Sequence, residues 1–168
     1  MTMKRYLFSL AAFGALAFGA TAAACGGGGD DGGSTSSGGG SDETYVAAIC
    51  TAGSQFVKDI AAAQRKAEKE VETASEADAE KIAAKAMAEP VANFAKNVKN
   101  AKVPKDVKPY HDELVSNLEK AAKGLKNGDI SALESLTLKD APEDVSARLD
   151  TLAAANKDCL AADFAFGE

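Results

Sequence analysis

The side chains able to do chemistry are few and widely spaced: one histidine, His111, and three cysteines, Cys25, Cys50 and Cys159. His111 lies in the run Tyr110-His111-Asp112-Glu113, which holds the donor types of a metal or acid–base site. Adjacent residues on a helix point in different directions, however, and a lone histidine does not complete a zinc or di-iron ligand set. Met87 and His111 as haem ligands would stand at different heights along an antiparallel bundle, and no Cys-x-x-Cys-His attachment occurs. No Ser-His-Asp or Cys-His arrangement is readable. The expectation is therefore no catalytic residue, no metal site, no cofactor and no enzyme, with His111 a satisfied histidine at the end of a core.

A second chemical pattern is electrostatic. Lys96, Lys99, Lys102, Lys105 and Lys108 recur every third residue, with Asp106 the one acid among them. The ordinary reading is a solvated basic surface. The sharper reading is contact with anionic headgroups, where each basic residue contributes about 1 kcal/mol.

The elements that must position these groups begin with a leader. Lys4 and Arg5 precede an almost wholly apolar stretch, 6–19, and small residues through Ala24. That order is the signature of a secretory signal, in which an apolar helix enters the membrane with its positive end held inside. The residues Ala22-Ala23-Ala24-Cys25 resemble a bacterial lipobox. The resemblance covers only the first 25 residues or so. It implies cleavage before Cys25 and acylation of that cysteine with two or three chains, enough for firm anchoring. Ala22 departs from the large aliphatic residue usual at its position, and Ala-x-Ala also suits ordinary signal peptidase. A secreted chain without lipid is thus the alternative. Residues 26–41, GGGGDDGGSTSSGGGS, carry no apolar side chain and form a flexible tether spanning about 20–24 Å.

The lipobox resemblance settles the cysteine arithmetic. Three cysteines in an exported chain leave one odd thiol; if Cys25 is acylated, Cys50 and Cys159 remain as a disulfide pair. Such a bond would close a loop of roughly 110 residues, for which chain entropy gives about 4–5 kcal/mol. The whole chain has no Trp, seven Phe and three Tyr, and a core that leans on alanine gains from that constraint, because small side chains bury little area each. The formal charge is −6, and losing Lys4 and Arg5 makes the mature chain more acidic still. General nucleic-acid binding, which needs a basic footprint, is excluded.

Residues 42–168 read as one helical domain without strand alternation. The first helix is expected over about 43–72 with Asp42 as N-cap, its stripe running through Tyr45, Ile49, Phe56, Ile60 and Ala63. Thr73 with Glu76, or Ser75 with Asp78, caps a second helix reaching about residue 102. Pro90 is expected to kink it or divide it in two. Pro109 suits the first turn of the third helix, and Asn127-Gly128 its end. A short helix, 130–138, follows Asp129. A last helix from Pro142 carries the stripe Val145, Leu149, Leu152, Asn156 and Cys159, with Asn156 as a buried polar residue setting register. Phe164 and Phe166 are expected to pack on the bundle's end.

The expected fold is all-α: an antiparallel up-down-up-down four-helix bundle with a short extra helix between the third and fourth main helices. The organisation is a signal peptide over 1–24, a lipidated Cys25 with linker over 25–41, and the bundle over 42–168. The expected function is a membrane-anchored cell-envelope lipoprotein, on the extracytoplasmic side of a bacterial membrane, with a non-enzymatic binding or scaffolding domain. Its partners are the membrane, through the lipid, and an unidentified envelope protein. The alternative is a carrier holding a small ligand between helices, near Pro90.

Overall fold

In a computed structural model the described residues are 39–136, 141–163 and 166. The signal segment, Cys25, the tether up to residue 38, residues 137–140 and Phe164 lie outside them. All the described secondary structure is helical: α1 (Asp42–Glu72), α2 (Glu76–Lys99), α3 (Lys108–Lys126), a 3₁₀-helix (Ile130–Leu136), α4 (Glu143–Ala154) and α5 (Lys157–Ala162).

The helix ends follow from local chemistry. Ser41, not Asp42, caps α1, accepting a hydrogen bond from the Thr44 amide at 3.3 Å. Asp42 instead enters the first turn, where its charge complements the helix dipole. Ser75 caps α2 through the Asp78 amide at 3.3 Å, which selects the Ser75–Asp78 register over Thr73–Glu76. α3 has Pro109 in its first turn and stops at Asn127, followed by Gly128 at φ 85°, a left-handed conformation that glycine adopts without steric cost.

The core is built from Tyr45, Val46, Ile49 and Cys50 of α1, Val91, Phe94 and Val98 of α2, Leu118 and Leu125 of α3, and Val145, Leu149 and Cys159 near the chain's end. Ile49, Leu125 and Leu149 are essentially inaccessible to solvent, each contributing about 1.5–3 kcal/mol by leaving water. Phe56 and Phe94 stack at 4.9 Å between ring centres. α1 outruns this core, since all its fully buried residues lie between Tyr45 and Gly53. Beyond Gly53, Phe56 still packs on the core, and Ala61, Ala62, Ala63 and Ala67 are half-buried.

Three elements differ from expectation. α2 runs through Pro90 as one helix, and Pro90 is itself buried there. Proline removes a helical donor, but here the helix continues on both sides of the buried ring. The segment after Asp129 is a 3₁₀-helix rather than an α-helix. It lies against α3, where Gly124 faces Ala132 so closely that a Cβ on Gly124 would collide with that side chain. The last helix is broken: α4 ends at Ala154 and α5 begins at Lys157. Asn156 does not set register within a continuous helix. Its carboxamide caps α5, accepting from the Asp158 amide at 2.9 Å and the Cys159 amide at 3.4 Å. An asparagine side chain that bonds its own backbone favours such a restart over helix continuation.

Helix directions can be read from specific pairs. Phe56 meets Phe94, and the Gly40 amide donates to the Val103 carbonyl at 3.3 Å, so α1 and α2 run antiparallel. Lys99 pairs with Glu119 while Gly128 lies against Lys81, so α2 and α3 do too. Along α1, however, Asp42 meets Arg148, Cys50 meets Cys159 and Gly53 meets Ala162. Those contacts advance in the same direction on both segments. The chain's end therefore packs on the first third of α1 as two short helices.

Candidate functional site

Cys50 and Cys159 stand at disulfide distance, with Cα atoms 4.5 Å apart, and both are buried. Cys50 sits on the inward face of α1, and Asn156 positions Cys159 by starting α5 two residues before it. Beside the pair, the Thr51 hydroxyl donates to Asp158 at 3.2 Å. Burial of both sulfurs makes this a structural fixture rather than an exposed reactive centre.

His111 is the one buried polar residue of the described core, at 4% exposure. Tyr45, also buried, places its Oη 3.4 Å from His111 Nδ1, the two rings meeting edge-on. Phe166 packs on the other side of Tyr45, and its amide donates to Asp150 at 2.6 Å. Burial pushes the Tyr45 hydroxyl up to about 12, so it stays protonated. Burial lowers the His111 pKa, with Lys108 adding to that effect and Asp112 opposing it. The pair is thus neutral at pH 7, a satisfied polar contact inside the apolar end of the domain.

Arg148 of α4 reaches Asp42 through Nε at 2.5 Å and Asp106 through Nη2 at 2.6 Å. Its hydrogen bond holds the Asp106 carboxyl below the ordinary aspartate range. This cluster ties three separate pieces together: the start of α1, the α2–α3 turn and α4.

The lysine row lies around that same turn. The Gly40–Val103 hydrogen bond puts the turn beside the start of the domain. Acids stand beside it, Asp106 and Asp112 from the local sequence and Glu119 and Asp42 from the fold. Lys99 pairs with Glu119 and Lys108 with Asp112, both at 2.8 Å, and Asp42 and Asp106 converge on Arg148. Lys96, Lys102 and Lys105 are exposed. The patch is consequently a mixed-charge surface with less net positive charge than its lysines suggest.

A groove runs between α1 and α2; sequence reading expected a pocket near Pro90 but not its continuation past Ala48 and Asn100. One stretch is lined by Ala47, Ala48, Thr51, Ala52 and Gln55 of α1 with Asn97 and Asn100 of α2. The next stretch continues along the same helix faces through Asp59, Ala62 and Ala63 to Lys66 on α1. On α2 it passes Asn93, Pro90, Glu89 and Ala86 to Lys85. Gln55 donates to Asp59 at 2.8 Å where the two stretches meet. The available signal was the spacing of Asn93, Asn97 and Asn100, four and three residues apart, which places them on one helix face. Asn93 and Asn97 occupy helix-interior positions where asparagine costs up to about 0.7 kcal/mol relative to alanine. Among the described residues none of the three side chains makes a hydrogen bond.

No helix among the described residues is long and apolar enough to cross a membrane. No protein-family model, curated protein or solved structure matches this chain.

Proposed function

We propose that the chain is the precursor of a lipid-anchored cell-envelope protein, cleaved before Cys25, whose helical domain binds or scaffolds another component without catalysing a reaction. The observation that carries this reading is the partition of the cysteines. With Cys50 and Cys159 at disulfide distance, Cys25 is left as the one unassigned thiol, at the position where the lipobox resemblance requires it. The tether over 26–41 then gives the domain reach without fixing its orientation. For the architecture we read an up-down-up arrangement of the first three helices, with the last two laid back on α1. The antiparallel pairs and the advancing α1–α4–α5 contacts support that reading.

Intact-mass analysis of the mature protein extracted from membranes tests the proposal. The expected mass is that of residues 25–168 with a diacylglyceryl group on Cys25, with or without a third acyl chain, less two hydrogen atoms for the Cys50–Cys159 bond. A chain beginning before Cys25, or beginning there with a free thiol, rejects it.

A second reading has one observation in its favour. The groove stretch beside Pro90 is where a small-ligand carrier would hold its cargo. Native mass spectrometry of the purified protein distinguishes the two, since a carrier shows an additional bound mass that unfolding removes.

A further inference from the structure

We infer that α5 is a redox-dependent clasp: it docks on α1 only while Cys50 and Cys159 are bonded. In the dithiol form it opens as a local unit while the rest of the helical domain stays folded. The chemistry that closes the clasp rests on the exported-protein reading above.

Apart from the bonded sulfur, α5 buries almost nothing. Of its six residues, Lys157–Ala162, Cys159 alone is buried. Leu160 is 67% exposed, and Lys157 and Ala161 are exposed as well. The Thr51 hydroxyl donates to Asp158 at 3.2 Å on an exposed surface, where water competes for both groups. Ala162 lies near Gly53, but two such small residues remove little apolar area from water. The Asn156 cap acts within the first turn of α5 and makes it a helix without fastening it to α1. A helix of this length has no stability of its own. The sulfur–sulfur bond is therefore the tie that offsets the entropy of ordering the segment.

The opening is bounded on both sides. α5 packs on α1 and abuts α4, and on no other described element. α4 has its own hold, burying Val145, Leu149 and Ala153 and pairing Arg148 with Asp42 and Asp106. Beyond α5, the Phe166 amide donates to Asp150 of α4 at 2.6 Å. α1 packs on α2, and α2 on α3, without any contribution from α5. Such a weakly packed segment opens below the free energy of global unfolding.

Closure is a two-electron oxidation by thiol–disulfide exchange. The Cys159 thiolate, on the open segment, attacks the disulfide of an extracytoplasmic dithiol oxidoreductase and displaces one of its sulfurs. The Cys50 thiolate then attacks Cys159 Sγ in the mixed disulfide and displaces the other. The cysteine pair loses two hydrogen atoms and the oxidant becomes a dithiol. In a reducing compartment the segment stays open; once closed, both sulfurs are buried and shielded from attack.

The test compares the oxidised full chain in detergent with the same protein reduced by dithiothreitol in urea, returned to native buffer and freed of reductant anaerobically. Hydrogen exchange over 157–163 should be about tenfold faster or more in the dithiol form, while α2 and α3 change by no more than about twofold. Iodoacetamide should alkylate Cys159 of the dithiol form within about tenfold of its rate in urea. Cys159→Ala keeps a small apolar side chain without the bond and should open α5 in the same way. The inference is overturned if α5 keeps its protection in the dithiol form or in the variant, if Cys159 stays shielded, or if α2 and α3 lose protection together with α5. The intact mass of the oxidised sample reports cleavage and acylation at Cys25 regardless of these outcomes, so failure of the clasp and failure of the anchored-protein reading are separately visible.

Discussion

Cys50 and Cys159 bring Cα atoms that are 109 residues apart in sequence to within 4.5 Å, joining α1 to the six-residue helix α5. A helix that short has no independent stability. What holds α5 is this link, the Asn156 cap, the Thr51–Asp158 hydrogen bond and packing of Ala162 near Gly53. The same region shelters Tyr45 and His111, because Phe166, just beyond α5, closes over Tyr45.

Replacing Cys50 and Cys159 together by alanine should lower unfolding free energy by about 4 kcal/mol, the loop-closure value for a link of this span. Urea denaturation with a circular dichroism readout measures it. Because both sulfurs are buried, mild reductant should react slowly with the folded protein and quickly in denaturant.

Acid should weaken the domain through His111. Its folded-state pKa lies below the unfolded value, so as pH falls past about 6.5 the unfolded chain takes up a proton that the folded one does not. Stability is therefore fully present above that pH. It declines by at most about 1.4 kcal/mol per unit until the folded-state pKa is reached. Denaturation midpoints between pH 8 and pH 5 should fall in the wild type, and the slope should flatten in His111→Gln. An equal slope in both would remove His111 as the cause.

Arg148→Met should loosen the α4 end without unfolding the domain. Two partly exposed ion pairs are lost, and such pairs contribute about 1 kcal/mol or less in total after screening. Hydrogen exchange should quicken in α4 and at the start of α1, while α2 and α3 keep their protection.

Gly124→Ala should cost about 1–3 kcal/mol, since its Cβ meets Ala132 and forces the 3₁₀-helix away from α3. An exposed helix-interior glycine would instead gain stability on the same change. Thermal melts decide the sign.

Binding of the basic turn to lipid should be weak and sensitive to salt, because acids pair with Lys99 and Lys108. The test is co-sedimentation of mature Cys25→Ser protein with anionic and neutral vesicles at low salt. Preference for the anionic vesicles should fall when Lys96, Lys102 and Lys105 are changed to glutamine. Equal binding to both vesicle types would show that this turn does not contact headgroups.

Helix content and most helix ends were legible in the sequence, because they depend on local chemistry. Ser75, Pro109, Asn127 and Gly128 act within a turn of where they stand, and the inward residues repeat at helical spacing. The pairing of Cys50 with Cys159 followed from counting, given the lipobox resemblance, because the number of cysteines constrains partners at any distance. What only the tertiary structure decided depends on residues remote in sequence meeting in space. The periodicity of Val145, Leu149, Leu152, Asn156 and Cys159 is the same for an unbroken helix as for two short ones, and the choice fell to the Asn156 cap and the packing on α1. The lysine row looked strongly basic until Glu119 was brought beside Lys99 and Asp42 beside the same turn. The groove could not be read from either helix alone, since its two walls become one surface only when α1 and α2 pack.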